Sequence, residues 1–380
     1  MRQRWQNRVS ESSWTLPIAC VISTLTWWLP GGNLSIAYAV GWLLCALTSY
    51  IIIEMNAING LLRIRSRMVS ALFLLWMSAC GFLHPVQSGT VIMLCLAVSF
   101  YSILNTNSNP QPEVSTFHSY LALSLGSLLW PPFLLLVPVI LWNQSTFLRS
   151  LTLKSMNAAI IGILLPYLFW GCSIITVVCF SVITTSLNDT PLSYQAAFQP
   201  MISHVTAVIA PIHDSSLWHW FATHMPEASW DSFKSAVNAL VRHYFDAHPA
   251  ECVSLICLTL TGVTGFIHYT HKSYDDKIRV RMCHYCFLSM QVVILLWLII
   301  QPTHYTHLFP LLLLTTIPSA AHFIALTHTW LSNSLSIILM LLLVVTAIFS
   351  FVLPIIYDWP LPQTDFASPF FTSFLPIYTS

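Results

Sequence analysis

Nine runs of mostly apolar residues set the limits on what this chain can fold into: 14–29, 36–58, 69–85, 89–105, 156–183, 250–269, 284–301, 307–326 and 335–357. A segment of about 17 to 25 such residues is long enough to cross a bilayer as an α-helix. Lipid offers nothing to bond backbone N–H and C=O groups, so a spanning chain satisfies them within helices or a closed barrel. The runs predict an all-α, polytopic transmembrane helix bundle with about nine full spans. Composition agrees, because only 7% of residues are charged and 56% are hydrophobic, against about 25% charged in an ordinary soluble domain.

The same counts exclude other classes. Fourteen Lys and Arg against thirteen Asp and Glu leave a net charge of +1, so there is no basic field to attract nucleic acid. Cys20, Cys45, Cys80, Cys95, Cys172, Cys179 and Cys257 lie inside apolar runs, where cysteine behaves as a small packing residue. A secreted disulfide framework is excluded. Arg2, Arg4 and Arg8 precede an apolar run, and Ala37-Tyr38-Ala39 imitates a signal-peptide cleavage site. Cutting there would remove the start of the second span, so the first helix is read as retained.

Basic residues near span ends orient the chain, since cytoplasmic loops carry the excess of Lys and Arg. With the N-terminus in the cytoplasm, Arg2, Arg4, Arg8, Arg63, Arg65 and Arg67 fall inside. The apolar stretch 119–142 decides the remainder. If it crossed once, Arg149, Lys154, Lys272, Lys277, Arg279 and Arg281 would all be exported. If it enters and returns, twelve of the fourteen basic residues are cytoplasmic and only Lys234 and Arg242 lie outside.

Local chemistry points to the return. Pro131, Pro132 and Pro138 interrupt the stretch, and proline removes a backbone donor while disfavouring helix at the residue before it, here Trp130. Two short helices, about 119–130 and 131–142, are expected to meet at the proline pair as a hairpin, with a proline-kinked single span as the alternative. Broken backbone at membrane depth is tolerated only inside protein or along a cavity, so Trp130, Pro131 and Pro132 form a candidate interior tip. The resulting organisation is an N-terminal bundle over 1–187, an extracytoplasmic segment over 188–249, a C-terminal bundle over 250–357 and an extracytoplasmic tail over 358–380. The localisation implied is the bacterial inner membrane, N-terminus inside and C-terminus outside.

The outer segment carries two amphipathic helical patterns. Tyr194, Phe198, Ile202, Val205 and Ile209 form one; Trp230, Phe233, Val237, Leu240, Val241 and Tyr244 form the other, with Ser229 placed as a cap. His204, His213, His219, His224, His243 and His248 lie there beside Asp189, Asp214, Glu227, Asp231 and Asp246. Such residues can bind zinc or move protons, but no HExxH or paired CxxC organises them. Interfacial histidines are the simpler reading, and no metal or cofactor is expected.

Two segments echo one another: Arg63-Ile64-Arg65-Ser66-Arg67-Met68 and Lys277-Ile278-Arg279-Val280-Arg281-Met282. Arg63, Arg65, Arg67, Lys277, Arg279 and Arg281 are candidate contacts for an anionic or polyprenyl-phosphate lipid, because guanidinium groups match phosphate geometry. The simpler reading is topological anchoring. Glu54 sits near the cytoplasmic end of its span, where an interfacial Arg63 or Arg65 is its expected partner. A proton- or sodium-coupled transporter normally places acids near the midplane, which counts against that class. Cys283-His284-Tyr285-Cys286 is a lone CxxC without thioredoxin-like surroundings, and there is no Walker loop, GxSxG or dinucleotide fingerprint.

The stretch Phe117-His118-Ser119-Tyr120-Leu121-Ala122-Leu123-Ser124-Leu125-Gly126-Ser127-Leu128-Leu129-Trp130-Pro131-Pro132, then Leu148-Arg149-Ser150-Leu151 and Ile161-Gly162-Ile163-Leu164-Leu165-Pro166-Tyr167, resembles an uncharacterised family of polytopic inner-membrane proteins from Bacteroidota. The basic segments at 63 and 277 fit it as well. His118 and Tyr120 stand where that family more often has Asp and Gly. The resemblance implies membrane topology and supplies no activity. A weaker resemblance is to multi-span glycosyltransferases that use polyprenyl-phosphate sugars and need an acid in the first outer loop. Here that loop reads Pro30-Gly31-Gly32-Asn33-Leu34-Ser35, without one. The expected function is thus a non-catalytic envelope or assembly component in the bilayer. The alternatives are a divergent handler of lipid-linked glycan and a small-molecule transporter.

Overall fold

The structure, a computed structural model, describes residues 5–28, 36–62, 66–107, 111–188, 203, 206–207, 249–301, 304–327 and 330–352. The outer amphipathic patterns and their histidines fall almost wholly outside these residues, as do Arg63 and Arg65. In chain order the helices are α1 (Trp5–Glu11), α2 (Thr15–Trp28), α3 (Ile36–Asn59), α4 (Met68–Ala79), α5 (Ser88–Leu104), α6 (Pro112–Leu129), α7 (Val137–Thr146), α8 (Leu153–Asn188), α9 (Pro249–Lys272), α10 (Ile278–Ile300), α11 (Tyr305–Leu326) and α12 (Trp330–Ala347). No strand occurs among the described residues.

Among the described residues six helices are long and apolar enough to cross a membrane: Ile36–Asn59, Leu153–Ser173, Pro249–Asp275, Ile278–Ile300, Tyr305–Leu326 and Ser332–Val352. The other three expected spans are apolar helices of 14, 12 and 17 residues, α2, α4 and α5. At 1.5 Å per residue, α4 measures only about 18 Å as a helix. It stops at Cys80, where ψ turns to 77°, and a short 3-10 turn over Gly81–Leu83 follows.

The chain forms two compact units. One comprises Met1–Ala97 with Ser216–Thr364, and the other Val98–Ser215 with Asp365–Ser380. In the first unit α11 is the core, buried at every residue from Leu308 to Ala325. Helices α1, α4, α9, α10 and α12 pack against it. The α9–α11 pair has a simple register. Tyr305 bonds Glu251, Thr316 lies against Gly262, Ser319 against Gly265, and the His322 ring against that of His268. Each pair is 54 positions apart (305 and 251, 316 and 262, 319 and 265, 322 and 268), so the helices run parallel, turn beside turn, while α10 returns between them in sequence.

Two bare glycines make this approach possible. A Cβ on Gly265 would sit 2.8 Å from the Ser319 carbonyl carbon, and one on Gly262 would sit 2.3 Å from Gln291 Nε2 of α10. Small residues at helix contacts are the usual route to close packing in lipid, where apolar side chains gain little by turning inward.

In the second unit the proline pair does break the chain. Trp130 is extended (φ −139°, ψ 98°), Pro131–Leu136 forms a 3-10 turn, and α7 follows. Gln144 of α7 then lies beside the first half of α6, its Nε2 donating to Thr116 Oγ1 (2.9 Å) and its Oε1 accepting from Tyr120 Oη (3.3 Å). Ser124 Oγ donates to the Ile163 carbonyl (2.7 Å), and Ser127 Oγ meets Tyr167 Oη (2.7 Å). These pairs advance together along both helices, so α6 and α8 are parallel and the chain has reversed between them. The arms differ from the expected 119–130 and 131–142. The first begins at Pro112, and the second is α-helical only from Val137, because the adjacent prolines hold the start of the return in the tighter 3-10 form.

On a background without native cysteines, Thr116→Cys with Gln144→Cys should form a disulfide on mild oxidation. Thr116→Cys with Pro131→Cys, one in the second turn of α6 and the other at the hairpin tip, should not. Mobility on a non-reducing gel after cleavage between α6 and α7 reads the difference.

Candidate functional site: a buried imidazole–carboxylate cluster

Where α9 leads into α10, five side chains of the first unit converge. His268 and Tyr269 come from the last turns of α9, His284 from the second turn of α10, and His322 from the last turns of α11. Asp276 comes from the connection. After Lys272 the chain makes a 3-10 turn over Ser273–Asp275, and Asp276 adopts an extended conformation (φ −92°, ψ 153°). That change of direction separates it from its neighbours: Asp275 and Lys277 are exposed while Asp276 is buried.

The central contact is between His322 and Asp276, Nε2 to Oδ2 at 2.9 Å, with both side chains shielded from solvent. A carboxylate out of water is costly unless paired and hydrogen-bonded. The other rings surround this pair. The Tyr269 ring stacks on His284 with centroids 4.3 Å apart and meets His322 edge-on at 4.8 Å. His284 and His268 approach His322 at 5.3 and 5.7 Å. Tyr285 Oη donates to Ser273 Oγ (3.2 Å), tying α10 to the turn that positions Asp276.

The end of α3 closes the cluster from the side. Gly60 has φ +62°, a conformation that suits glycine and ends helices, and its N–H still bonds the Asn56 carbonyl. The turn presents the Leu61 carbonyl to His284 Nε2 at 2.8 Å, and Asn59 Oδ1 accepts from Arg279 Nη2 at 3.0 Å. These partners assign the tautomers. Nε2 donates in both His284 and His322, which leaves each neutral ring with an acceptor at Nδ1. Neither Nδ1 has a protein partner, and the same holds for His268 Nδ1 and Tyr269 Oη, all buried. The cluster therefore combines a paired acid, three imidazoles and a phenol that retain hydrogen-bonding capacity, which is the chemistry of proton transfer.

The basic residues named from the sequence lie partly at this site. Arg279 and Arg281 are half-buried in the first turn of α10, Lys277 is exposed just before it, and Arg67 is exposed just before α4. Arg63 and Arg65 lie outside the described residues. Trp130 and Pro132 are buried and Pro131 is half-buried, all in the second unit. Cys283 and Cys286 are buried on α10 and neither forms a disulfide. Among the described residues no group of three or more His, Cys, Asp or Glu is arranged to hold a metal ion.

Sequence reasoning did not single out His268, Tyr269, Asp276, His284 or His322. The available signal was a histidine inside each of three apolar runs, which is expensive in hydrocarbon and so implies a purpose. No protein-family model, curated protein or solved structure matches the chain.

Asp276→Ala should leave His322 Nε2 buried without an acceptor and cost about 1–3 kcal/mol. Asp276→Asn, which retains an oxygen acceptor, should cost less. Thermal unfolding in detergent ranks the two, and equal losses would mean that the bond contributes nothing to stability.

Proposed function

We propose that this chain is a multi-pass protein of the bacterial inner membrane that moves protons through its α9–α10–α11 helices, a transporter whose cargo is the proton itself. The observation that carries this reading is the Asp276–His322 pair, enclosed with His268 and His284 at the end of three membrane-length helices. Imidazole changes charge near neutral pH, and ionisable residues inside membrane helices typically mark ion pathways and proton relays. Of the three functions expected from sequence, the carrier had counted against it the lack of acids near the midplane. Asp276 supplies a buried acid at the helix ends instead, since the α9–α10 connection folds it inward against α11.

The topology that goes with this function has nine crossings, α2, α4 and α5 among them, and a 112–146 segment that enters and returns from the cytoplasmic side. The parallel run of α6 and α8 supports the return, and the basic count supports a cytoplasmic N-terminus. In that orientation the cluster lies at the cytoplasmic end. Arg67, Lys277, Arg279 and Arg281 ring the same end, where anionic or polyprenyl-phosphate headgroups are their natural partners.

A second reading, a non-catalytic envelope component, is favoured by the close packing around α11, buried along its whole core. One experiment separates the two. Purified protein is placed in liposomes with an internal pH-sensitive dye, and a potassium gradient with valinomycin supplies the driving force. The wild type should acidify the lumen well above protein-free vesicles, and Asp276→Asn and His322→Gln should each lower that rate at least tenfold. A wild type no faster than empty vesicles would rule out the proton-moving function in favour of the non-catalytic one.

A further inference from the structure

The His–Asp cluster is one end of a longer polar seam. Moving away from Asp276 along the parallel α9–α11 pair, the facing residues are His268 and His322, then Gly265 and Ser319, then Gly262 and Thr316 with Thr261 and Thr315. Gln291 of α10 enters this last layer, its amide against Gly262 and beside Thr316. His284 and Gln291 are seven residues apart and so share a face of α10. Thr316 to His322 spans about 9 Å of helix rise, so the amide layer stands well inside the bundle.

Both side chains of that layer are buried and keep an acceptor without a partner: Gln291 Oε1 and Thr316 Oγ1. With His268 Nδ1, Tyr269 Oη, His284 Nδ1 and His322 Nδ1, six such atoms line the three helices. A buried polar atom without a partner costs about 1–3 kcal/mol, and the usual remedy in a polar interior is bound water making about three hydrogen bonds. One turn further the seam changes character. The register places Leu258 against Leu312, both buried, and only beyond them does the polar pair Glu251 and Tyr305 occur, joined at 3.1 Å.

We infer that the seam is a hydrated half-channel: it carries protons over bound water between Asp276 and the Gln291–Thr316 layer, and Leu258 with Leu312 form the apolar barrier that limits passage beyond that layer. The inference rests on the proton-moving function proposed above and adds its route and its barrier. Water chains conduct protons between groups that accept and donate, while an apolar constriction disfavours water and so slows their passage. Besides His268, His284 and His322, the charged and titratable groups at the open end are Tyr269, His271, Lys272, Tyr274, Asp275, Asp276, Lys277, Arg279, Arg281, Cys283 and Tyr285. At the layer itself the groups are neutral, so its role is to hold water and not to exchange a proton.

The dye-filled liposomes test route and barrier together. Thr316→Val replaces the hydroxyl with a methyl of nearly equal volume and should lower proton flux at least tenfold, as should Gln291→Leu. Thr316→Ser keeps the hydroxyl and should retain wild-type flux, which separates loss of the route from loss of the fold. Leu312→Ala should raise flux severalfold by opening the seam toward Glu251. Wild-type flux in Thr316→Val and Gln291→Leu, with Asp276→Asn silent, would overturn the route and leave the proton-moving function standing. Wild-type protein no faster than protein-free vesicles would overturn both.

Discussion

The close approach of α9 to α11 governs most of what the first unit can do. It depends on Gly265, where no side chain keeps the two backbones apart, with Gly262 leaving room for the side chains of Thr316 and Gln291. Once the helices touch there, the parallel register follows for the whole length of the pair, and His268 must arrive in the same turn as His322. Because α10 has to return between two parallel helices, its own polar residues, His284 and Gln291, are turned toward the same seam. Any larger side chain at Gly265 would meet the α11 backbone near Ser319 and Ala320, and the imidazoles would separate with the helices.

That register leaves the bundle with an expensive feature. A buried carboxylate is costly even when it is hydrogen-bonded, and replacing such a pair by well-packed apolar residues is often neutral or stabilising. Asp276 with His322 is therefore poor value as a device for stability alone. The connection also departs from a simple turn to place the acid: Ser273–Asp275 tightens to 3-10, Asp276 becomes extended, and Tyr285 fixes Ser273. Three separate elements, α3 through Leu61, α10 and α11, hold the surrounding rings in position. A packing core would need none of these contacts, since apolar side chains fill space without them.

Much of this architecture was legible in the sequence because bilayer thickness and proline chemistry leave strong marks. Six of the nine apolar runs are helices of membrane length, and the break at Trp130-Pro131-Pro132 lies where the lost backbone donors put it. The ends of the hairpin arms were not legible, since apolar patterning does not mark the polar start of α6 at Pro112, and the 3-10 return at 131–136 packs against α6. The cluster was hidden for a different reason. Its residues are brought together by a separation of 54 positions between α9 and α11 and of 46 between Asp276 and His322, and no local periodicity encodes either. Asp276 was further disguised by its setting, a charged loop in which every neighbouring charge is exposed.

Helix α9 shows how the surroundings sustain the seam. Its outer face exposes Ile256, Leu260, Val263 and Ile267, while its inner face buries Ser254, Thr261, Gly262 and Gly265. In water the hydrophobic effect would oppose that arrangement, at about 25 cal/mol for each Å² of apolar surface left exposed. In hydrocarbon the outer face loses nothing, and the polar inner face is driven inward because lipid cannot satisfy it. The membrane thus does for the polar seam what water does for an apolar core: it makes burial the cheaper state. The polar atoms of α9, α10 and α11 must then find partners in one another or in water drawn in with them. The six seam atoms named above are for that reason the ones most open to exchange.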